Sequence, residues 1–290
     1  MEYEGFVIRP PSEAQSLILQ ATFGCSHNKC AFCPTYKPAR FRVKDWERFA
    51  ADVDEMAALR PWPRVFLAGG DALGLPRRLL LPRLQYLREK IRGLERVGIY
   101  GNAKSVLKHS AEELAEFREA GLGIVYFGLE SGDPQVLREI DKGADPDKMI
   151  RAARRVKEAG IALSVTVLLG IAGTARGREH ALATGRVLSA IAPDFVGALP
   201  VMVVPGTPLY ERMERGEFAL PDEFAMLEEL GIMIAGTEAT DCLFMSNHAS
   251  NYLPIKAHLP GDRERAIRAI REVIEDRDRR KLRPEWMRAL

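Results

Sequence analysis

Leu17-Ile-Leu-Gln-Ala-Thr-Phe-Gly-Cys25-Ser-His-Asn-Lys-Cys30-Ala-Phe-Cys33 decides the fold. An apolar run of strand type, residues 17–22, ends in Phe23-Gly24, and three cysteines follow directly. Working outward, residues 45–59 carry Trp46, Phe49, Val53 and Met56 at spacings of three or four, which predicts a helix. Residues 64–68 read as a second strand closed by Gly69-Gly70, 77–92 as a helix and 96–100 as a third strand. Ser110 and Glu113 form a capping-box pattern at the start of the next helix. A fourth strand at 123–129 leads through Gly132-Asp133-Pro134 into helical segments up to residue 159. The fifth strand is 161–169 with its helix at 178–191, and the sixth is 195–201.

Strands that alternate with helices imply a parallel sheet with right-handed crossovers. The expected fold is therefore α/β, an open partial (β/α)6 TIM-like barrel over residues 1–205. In such barrels chemistry sits on the loops after the strands, where the cysteine loop (24–36) and the glycine pairs fall. Residues 206–290 are expected to form a helical and irregular extension that packs on and caps the barrel. It has short helices at 207–215 and 222–231, an irregular stretch at 237–256, and a helix at 263–280 with Ile267, Ile270, Val273 and Ile274 inward.

Composition narrows the class. A chain of 290 residues with 47% hydrophobic and 28% charged residues can bury a substantial core. Its net charge of +2 gives no global field for nucleic acid or an anionic membrane, so neither partner is expected. The Arg-rich stretch Arg277, Arg279, Arg280, Lys281 and Arg283 reads as a solvated surface. The first residues lack a signal-peptide layout, and apolar runs such as 161–171 are too short to span a bilayer; a cytoplasmic location is expected.

Four cysteines in a chain of this length do not suggest a secreted disulfide framework, and their clustering favours metal. Thiolates suit zinc or iron–sulfur clusters. A structural zinc site closes four ligands, and here the fourth would be His27 or the distant Cys242. Three close cysteines with no evident fourth fit an open cluster better, with Phe32 as its apolar shield. A non-catalytic zinc or iron–sulfur module on the same cysteines stays as the alternative.

A strand, three cysteines with an aromatic before the third, and then βα repeats resemble the radical S-adenosylmethionine (SAM) superfamily. The first two cysteines here are separated by four residues rather than the commoner three. Within the superfamily, the likeness is to Elongator-type and oxygen-independent coproporphyrinogen-oxidase-like proteins. The resemblance implies that Cys25, Cys30 and Cys33 hold a [4Fe–4S] cluster and that SAM binds beside it. Gly69-Gly70-Asp71 resembles the Gly-Gly-Glu segment that receives the SAM amino group, with Asp71 one methylene shorter. Glu130 and Ser131 match the segment that contacts the ribose, and Lys142 matches a basic residue that pairs with the SAM carboxylate. Residues 164–173, with Thr166 and Gly170, are similar to the strand and turn near the adenine, although relatives often carry Asp where Thr166 stands. Asn102 is a candidate pocket residue.

The implied reaction is reductive opening of SAM to a 5′-deoxyadenosyl radical, which takes hydrogen from a small-molecule substrate. A donor such as flavodoxin or ferredoxin supplies the electron. His248, Tyr252 and Cys242, in the polar stretch before residue 256, are candidates for moving a proton or a hydrogen atom. No cobalamin-binding domain or auxiliary cluster is expected.

Overall fold

The structure is a computed structural model that describes residues 1–288. In chain order the first half holds β1 (Leu17–Gln20), β2 (Thr22–Phe23), β3 (Arg42–Val43), α1 (Trp46–Leu59), β4 (Arg64–Ala68) and α2 (Arg77–Lys90). Then follow β5 (Arg96–Gly101), α3 (Ala103–Leu107), α4 (Ala111–Glu119), β6 (Leu122–Glu130), α5 (Pro134–Glu139) and α6 (Pro146–Glu158). The second half holds β7 (Ala162–Leu169), α7 (Gly173–Ile191), β8 (Phe195–Pro200), α8 (Pro208–Glu214) and α9 (Glu223–Gly236). It closes with β9 (Cys242–Ser246), β10 (Ile255–Leu259) and α10 (Arg263–Asp276).

Eight strands pair in the order β1-β4-β5-β6-β7-β8-β9-β10, and β2 with β3 forms a separate two-stranded ribbon. Pairs β1/β4, β4/β5, β5/β6, β7/β8 and β8/β9 are parallel, and β9/β10 is antiparallel. All six predicted strands are present. The stretch expected to be irregular instead supplies β9 and the start of β10. Its pleat alternates buried Cys242, Phe244 and Ser246 with half-buried Leu243 and Met245.

The chain divides into two compact units. The first comprises Met1–Lys29, Thr35–Phe127 and Arg151–Leu163. Its strands are buried on both faces, as parallel strands usually are, with Val65, Phe66, Leu67, Val97 and Ile99 inaccessible to water. On one face Phe66 meets Tyr100 and Tyr126 edge-on at centroid distances of 5.0 and 5.8 Å. Phe49 and Val53 of α1, Leu80, Leu84 and Leu87 of α2, and Leu114 and Phe117 of α4 are fully buried. Each such side chain contributes about 1.5–3 kcal/mol. The capping box forms as the sequence foretold, Ser110 accepting from Glu113 N and Glu113 from Ser110 N. Beside β1, the Gln20 amide holds both backbone groups of Glu4, accepting from its N–H at 2.8 Å and donating to its carbonyl at 2.9 Å.

The second unit comprises Cys30–Pro34, Gly128–Ile150 and the chain from Ser164 onward. Helix α7 begins at Gly173, earlier than expected, and α9 runs on to Gly236. In β10, buried Ile255, Ala257 and Leu259 alternate with exposed Lys256 and His258. Helix α10 ends at Asp276, sooner than predicted, because Arg277 takes a left-handed conformation (φ 46°). The basic stretch beyond it is partnered within this unit. Arg277 lies 3.6 Å from Asp222, Arg279 pairs with Glu223, and Arg283 donates to His248 O at 2.8 Å. Among the described residues no helix is long and apolar enough to cross a membrane.

Candidate functional site

In the first unit the cysteine loop leaves the sheet at Gly24, whose φ of +68° suits glycine. The β2/β3 ribbon closes the base of that loop, pairing Thr22 with Val43 and Phe23 with Arg42. Gly70 N donates to Gly24 O at 2.9 Å, which ties the turn after β4 to the residue before Cys25. A Cβ at Gly70 would lie 2.6 Å from Cys25 Cβ and 2.8 Å from the Tyr36 ring; at Gly69 it would lie 1.9 Å from Thr22 Oγ1. The glycine pair is thus required by the close approach of the loop itself. Asp71 is buried and accepts from Ser26 Oγ, while its Oδ1 has no hydrogen-bond partner. Burial raises its pKa, against the pull of Ser26, Ser105 and Asn102. The Asn102 side chain caps α3, accepting from Lys104 N at 2.9 Å and Ser105 N at 3.0 Å.

In the second unit Cys30 and Cys33 sit on a short turn, Cys33 N donating to Cys30 O at 3.3 Å, with Phe32 half-buried between them. Ala31 anchors that turn, its N–H bonded to Ile140 O at 2.8 Å and its carbonyl to Leu209 N at 2.9 Å. At the end of β6, Glu130 adopts φ +63° and accepts from Lys142 Nζ at 2.9 Å. Both side chains are only 9% exposed. A Cβ at residue 128 would stand 2.3 Å from Glu130 Oε1 and 2.9 Å from Lys142 Nζ, so Gly128 makes the room for this pair.

Ser131 turns away into the core. His180 Nε2 lies 3.1 Å from Leu168 O, which can only accept, so Nδ1 accepts from Ser131 Oγ at 2.7 Å. Burial pushes His180 down to about 4. After β7, Gly170 (φ +76°) donates to Glu229 Oε2 of α9 at 2.7 Å. Burial pushes Glu229 up to about 8 against that hydrogen bond. Glu229 and His180 are both mainly neutral near pH 7, so their 3.8 Å approach is not an ion pair. A Cβ at Gly177 would meet Glu229 Oε1 at 2.6 Å. Glu229 was not singled out in the sequence, where the available signal was the carboxylate pair Glu228-Glu229 inside the apolar run of α9, of which only Glu229 is buried. Thr166 is half-buried in β7, opposite Gly197 of β8.

The three candidate proton or hydrogen carriers do not gather. Cys242 is fully buried at the first residue of β9. Four strand steps separate it from Ser246, roughly 13 Å. His248 and Tyr252 lie beyond the other end, on the side of the sheet edge where β7 and β8 also finish. His248 Nδ1 accepts from Ser250 N at 3.1 Å, which leaves the proton of the neutral ring on Nε2. Burial, aided by Arg283, lowers its pKa. Tyr252 hydrogen-bonds Arg288 and stacks under its guanidinium at 3.9 Å; burial pushes the phenol up to about 12. Arg288 also donates to Ser250 O at 2.7 Å, so the tail fastens this loop.

The sequence pattern of the Radical SAM superfamily matches residues 19–182, more than half of the chain. The chain belongs to the radical SAM superfamily. Uncharacterized protein MJ0486 of Methanocaldococcus jannaschii is 24% identical over 213 residues, which cover 69% of this chain and 65% of that protein. Heme chaperone HemW of Bacillus subtilis is 23% identical over 177 residues, 60% of this chain and 46% of its own. This chain therefore spans less than two thirds of the length of either curated relative. The structure of coproporphyrinogen III oxidase (HemN) from Escherichia coli, described as a radical SAM enzyme, aligns with a TM-score of 0.56 at 17% identity. It covers 76% of this chain and 51% of that one, a likeness of fold.

Radical SAM enzymes typically use a [4Fe–4S] cluster and SAM. The donor chemistry fits a three-cysteine cluster: Cys25, Cys30 and Cys33 are all partly exposed on one loop, whereas Cys242 is sealed in the sheet. Cys25 belongs to the first unit, Cys30 and Cys33 to the second. Among the described residues no group of three His, Cys, Asp or Glu side chains is already gathered around a metal position.

Proposed function

We propose that this radical SAM enzyme cleaves SAM reductively and uses the 5′-deoxyadenosyl radical to take hydrogen from a small organic substrate. Cys25, Cys30 and Cys33 would hold the [4Fe–4S] cluster, which when bound supplies the electron that opens the sulfonium. Flavodoxin or ferredoxin is the expected class of donor. The observation that carries this reading is the Glu130–Lys142 pair, seated at a strand end by a glycine and a left-handed residue. Two opposite charges with little access to water neutralise one another until a ligand offers each a better partner. SAM brings a carboxylate for Lys142 and ribose hydroxyls for Glu130.

The remaining residues position and shield. Gly69 and Gly70 let the Cys25 segment pack against the turn after β4, and Asp71 steadies it through Ser26. Phe32 keeps water from the loop. The turn at Gly170 is held by Glu229. Thr166, Leu199 and Met245 share the half-buried face of β7, β8 and β9 and would line the substrate side. His248 keeps its neutral-ring proton on Nε2 beyond the end of β9, where it can donate a hydrogen bond to a substrate oxygen or nitrogen. Cys242, at the opposite end of that strand, is given no part.

Anaerobic reconstitution with iron and sulfide, followed by reduction with SAM, tests the proposal. The expected products are 5′-deoxyadenosine and methionine, absent in a Cys30→Ala control. Zinc in the purified protein with no SAM binding would instead support the non-catalytic metal module.

A further inference from the structure

From residue 24 to residue 44 the chain carries five lysines and arginines and no carboxylate. Two of these cations are neutralised within the first unit, Arg42 by Glu4 and Lys44 by Asp52. Lys29 and Arg40 are exposed and have neither a hydrogen bond nor an ion pair among the described residues. Lys37 donates only to a carbonyl, Asn28 O at 3.2 Å. Asn28 also donates to Tyr36 O at 2.7 Å. These bonds knit the residue before Lys29 to the backbone around Lys37, bringing the three uncompensated cations onto one rim.

A cavity of about 310 Å³ opens beside that rim. Its wall includes Gly24, Gly69, Tyr36 and Arg40, with Phe6 at its mouth 73% exposed. Gly24 directly precedes Cys25, and the Cys25 Cβ lies against Gly70 and the Tyr36 ring. The cavity wall therefore reaches the residue that precedes the first cluster cysteine and the Tyr36 side chain that packs against it. Cationic rims speed the approach of an acidic protein and suppress wrong partners. The apolar Phe6 beside them offers a contact that a purely ionic encounter would lack.

We propose that Lys29, Lys37 and Arg40 form the docking rim for an acidic one-electron donor protein of the flavodoxin type. This rests on the radical SAM reading of the cysteine loop. The donor's anionic flavin hydroquinone gives up one electron and becomes the neutral semiquinone, and the cluster is reduced by one. No bond in the chain forms or breaks.

The test compares the reconstituted wild type with Lys29→Glu/Lys37→Glu/Arg40→Glu. Calorimetric titration with oxidised flavodoxin, at low and high salt, reads docking without turnover. Formation of 5′-deoxyadenosine is measured with reduced flavodoxin and, separately, with dithionite. The expected result is wild-type binding that weakens with salt, and a loss of about tenfold or more in the variant. Turnover driven by flavodoxin falls in step while dithionite-driven turnover is unchanged. Absent or unchanged binding overturns the proposal. So does an equal loss with both reductants accompanied by low iron content, which would mean that the cations only balance the charge of the loop. If neither reductant yields 5′-deoxyadenosine in the wild type, the functional reading fails, and the titration still decides the docking.

Discussion

Replacing Lys142 with Met removes the cation that Glu130, its side chain only 9% exposed, meets at 2.9 Å. At 2.9 Å the attraction lost is about 6 kcal/mol for an effective dielectric of about 20. Desolvation of both groups in the native pair offsets much of this, yet removing one partner of a buried pair typically costs about 3–5 kcal/mol. Glu130→Gln should cost a comparable amount by removing the carboxylate that the ammonium meets at 2.9 Å. The double variant Glu130→Gln/Lys142→Met strands no charge and should cost less than the sum of the singles by about 2 kcal/mol or more. Urea midpoints of the apoprotein, with unchanged slopes, read these costs. Equilibrium dialysis of SAM against the reconstituted proteins reads the second half of the reasoning. Stability should return in the double variant, whereas SAM affinity should not. Strictly additive costs would refute the coupling. Recovery of SAM affinity along with stability would show that the pair only holds the fold.

Gly70→Ala forces a methyl to within contact of Cys25 and Tyr36; it should cost about 1–3 kcal/mol and cut the iron taken up on reconstitution, and normal uptake would refute the role of the turn. Glu229 has a raised pKa in the fold, so its stabilising contribution is complete below the unfolded carboxyl value of about 4.3 and is lost as pH rises through about 8. Glu229→Gln should therefore flatten the melting temperature between pH 5 and 8, a difference on the order of a few kcal/mol, and parallel pH curves would count against it. Arg288→Ala removes the bonds to Ser250 O and Tyr252, so backbone hydrogen exchange at Ser250–Tyr252 should quicken with a loss of about 1–2 kcal/mol. Unchanged exchange there would mean that the tail does not hold the loop.

The parallel strands were legible because each is a compact apolar run closed by glycine or polar residues, as at Ala68-Gly69-Gly70. The hairpin of β9 and β10 was not, because its five-residue strands flank a connection crowded with Asn247, His248, Ser250 and Asn251, and period-two alternation is weak over so short a run. Nor could the sequence show that Ser26 answers Asp71, since that bond joins positions far apart along the chain. The cysteine loop declared itself through spacing and residue type alone. The resemblance gave Glu130 and Lys142 separate contacts to SAM and not to each other, and Gly128 acquires its reason only once their paired side chains are placed. Glu229 was readable in principle, being a charge inside an apolar helix, but its partner is a backbone N–H, which leaves no mark on composition.

Any open sheet has two rims of unsatisfied backbone groups, and those rims invite another chain to add a strand. Here the two are guarded by unlike means. At β1 the first residues of the chain are fastened alongside, the Gln20 amide taking the donor and the acceptor of Glu4 and the Tyr3 hydroxyl donating to Ile18 O at 2.9 Å. At β10 exposed Lys256 and His258 stand outward from the last strand, and a neighbouring copy that tried to extend the sheet would have to bury them. A charge-neutral β10 would therefore be the first place to look for self-association in a variant of this protein.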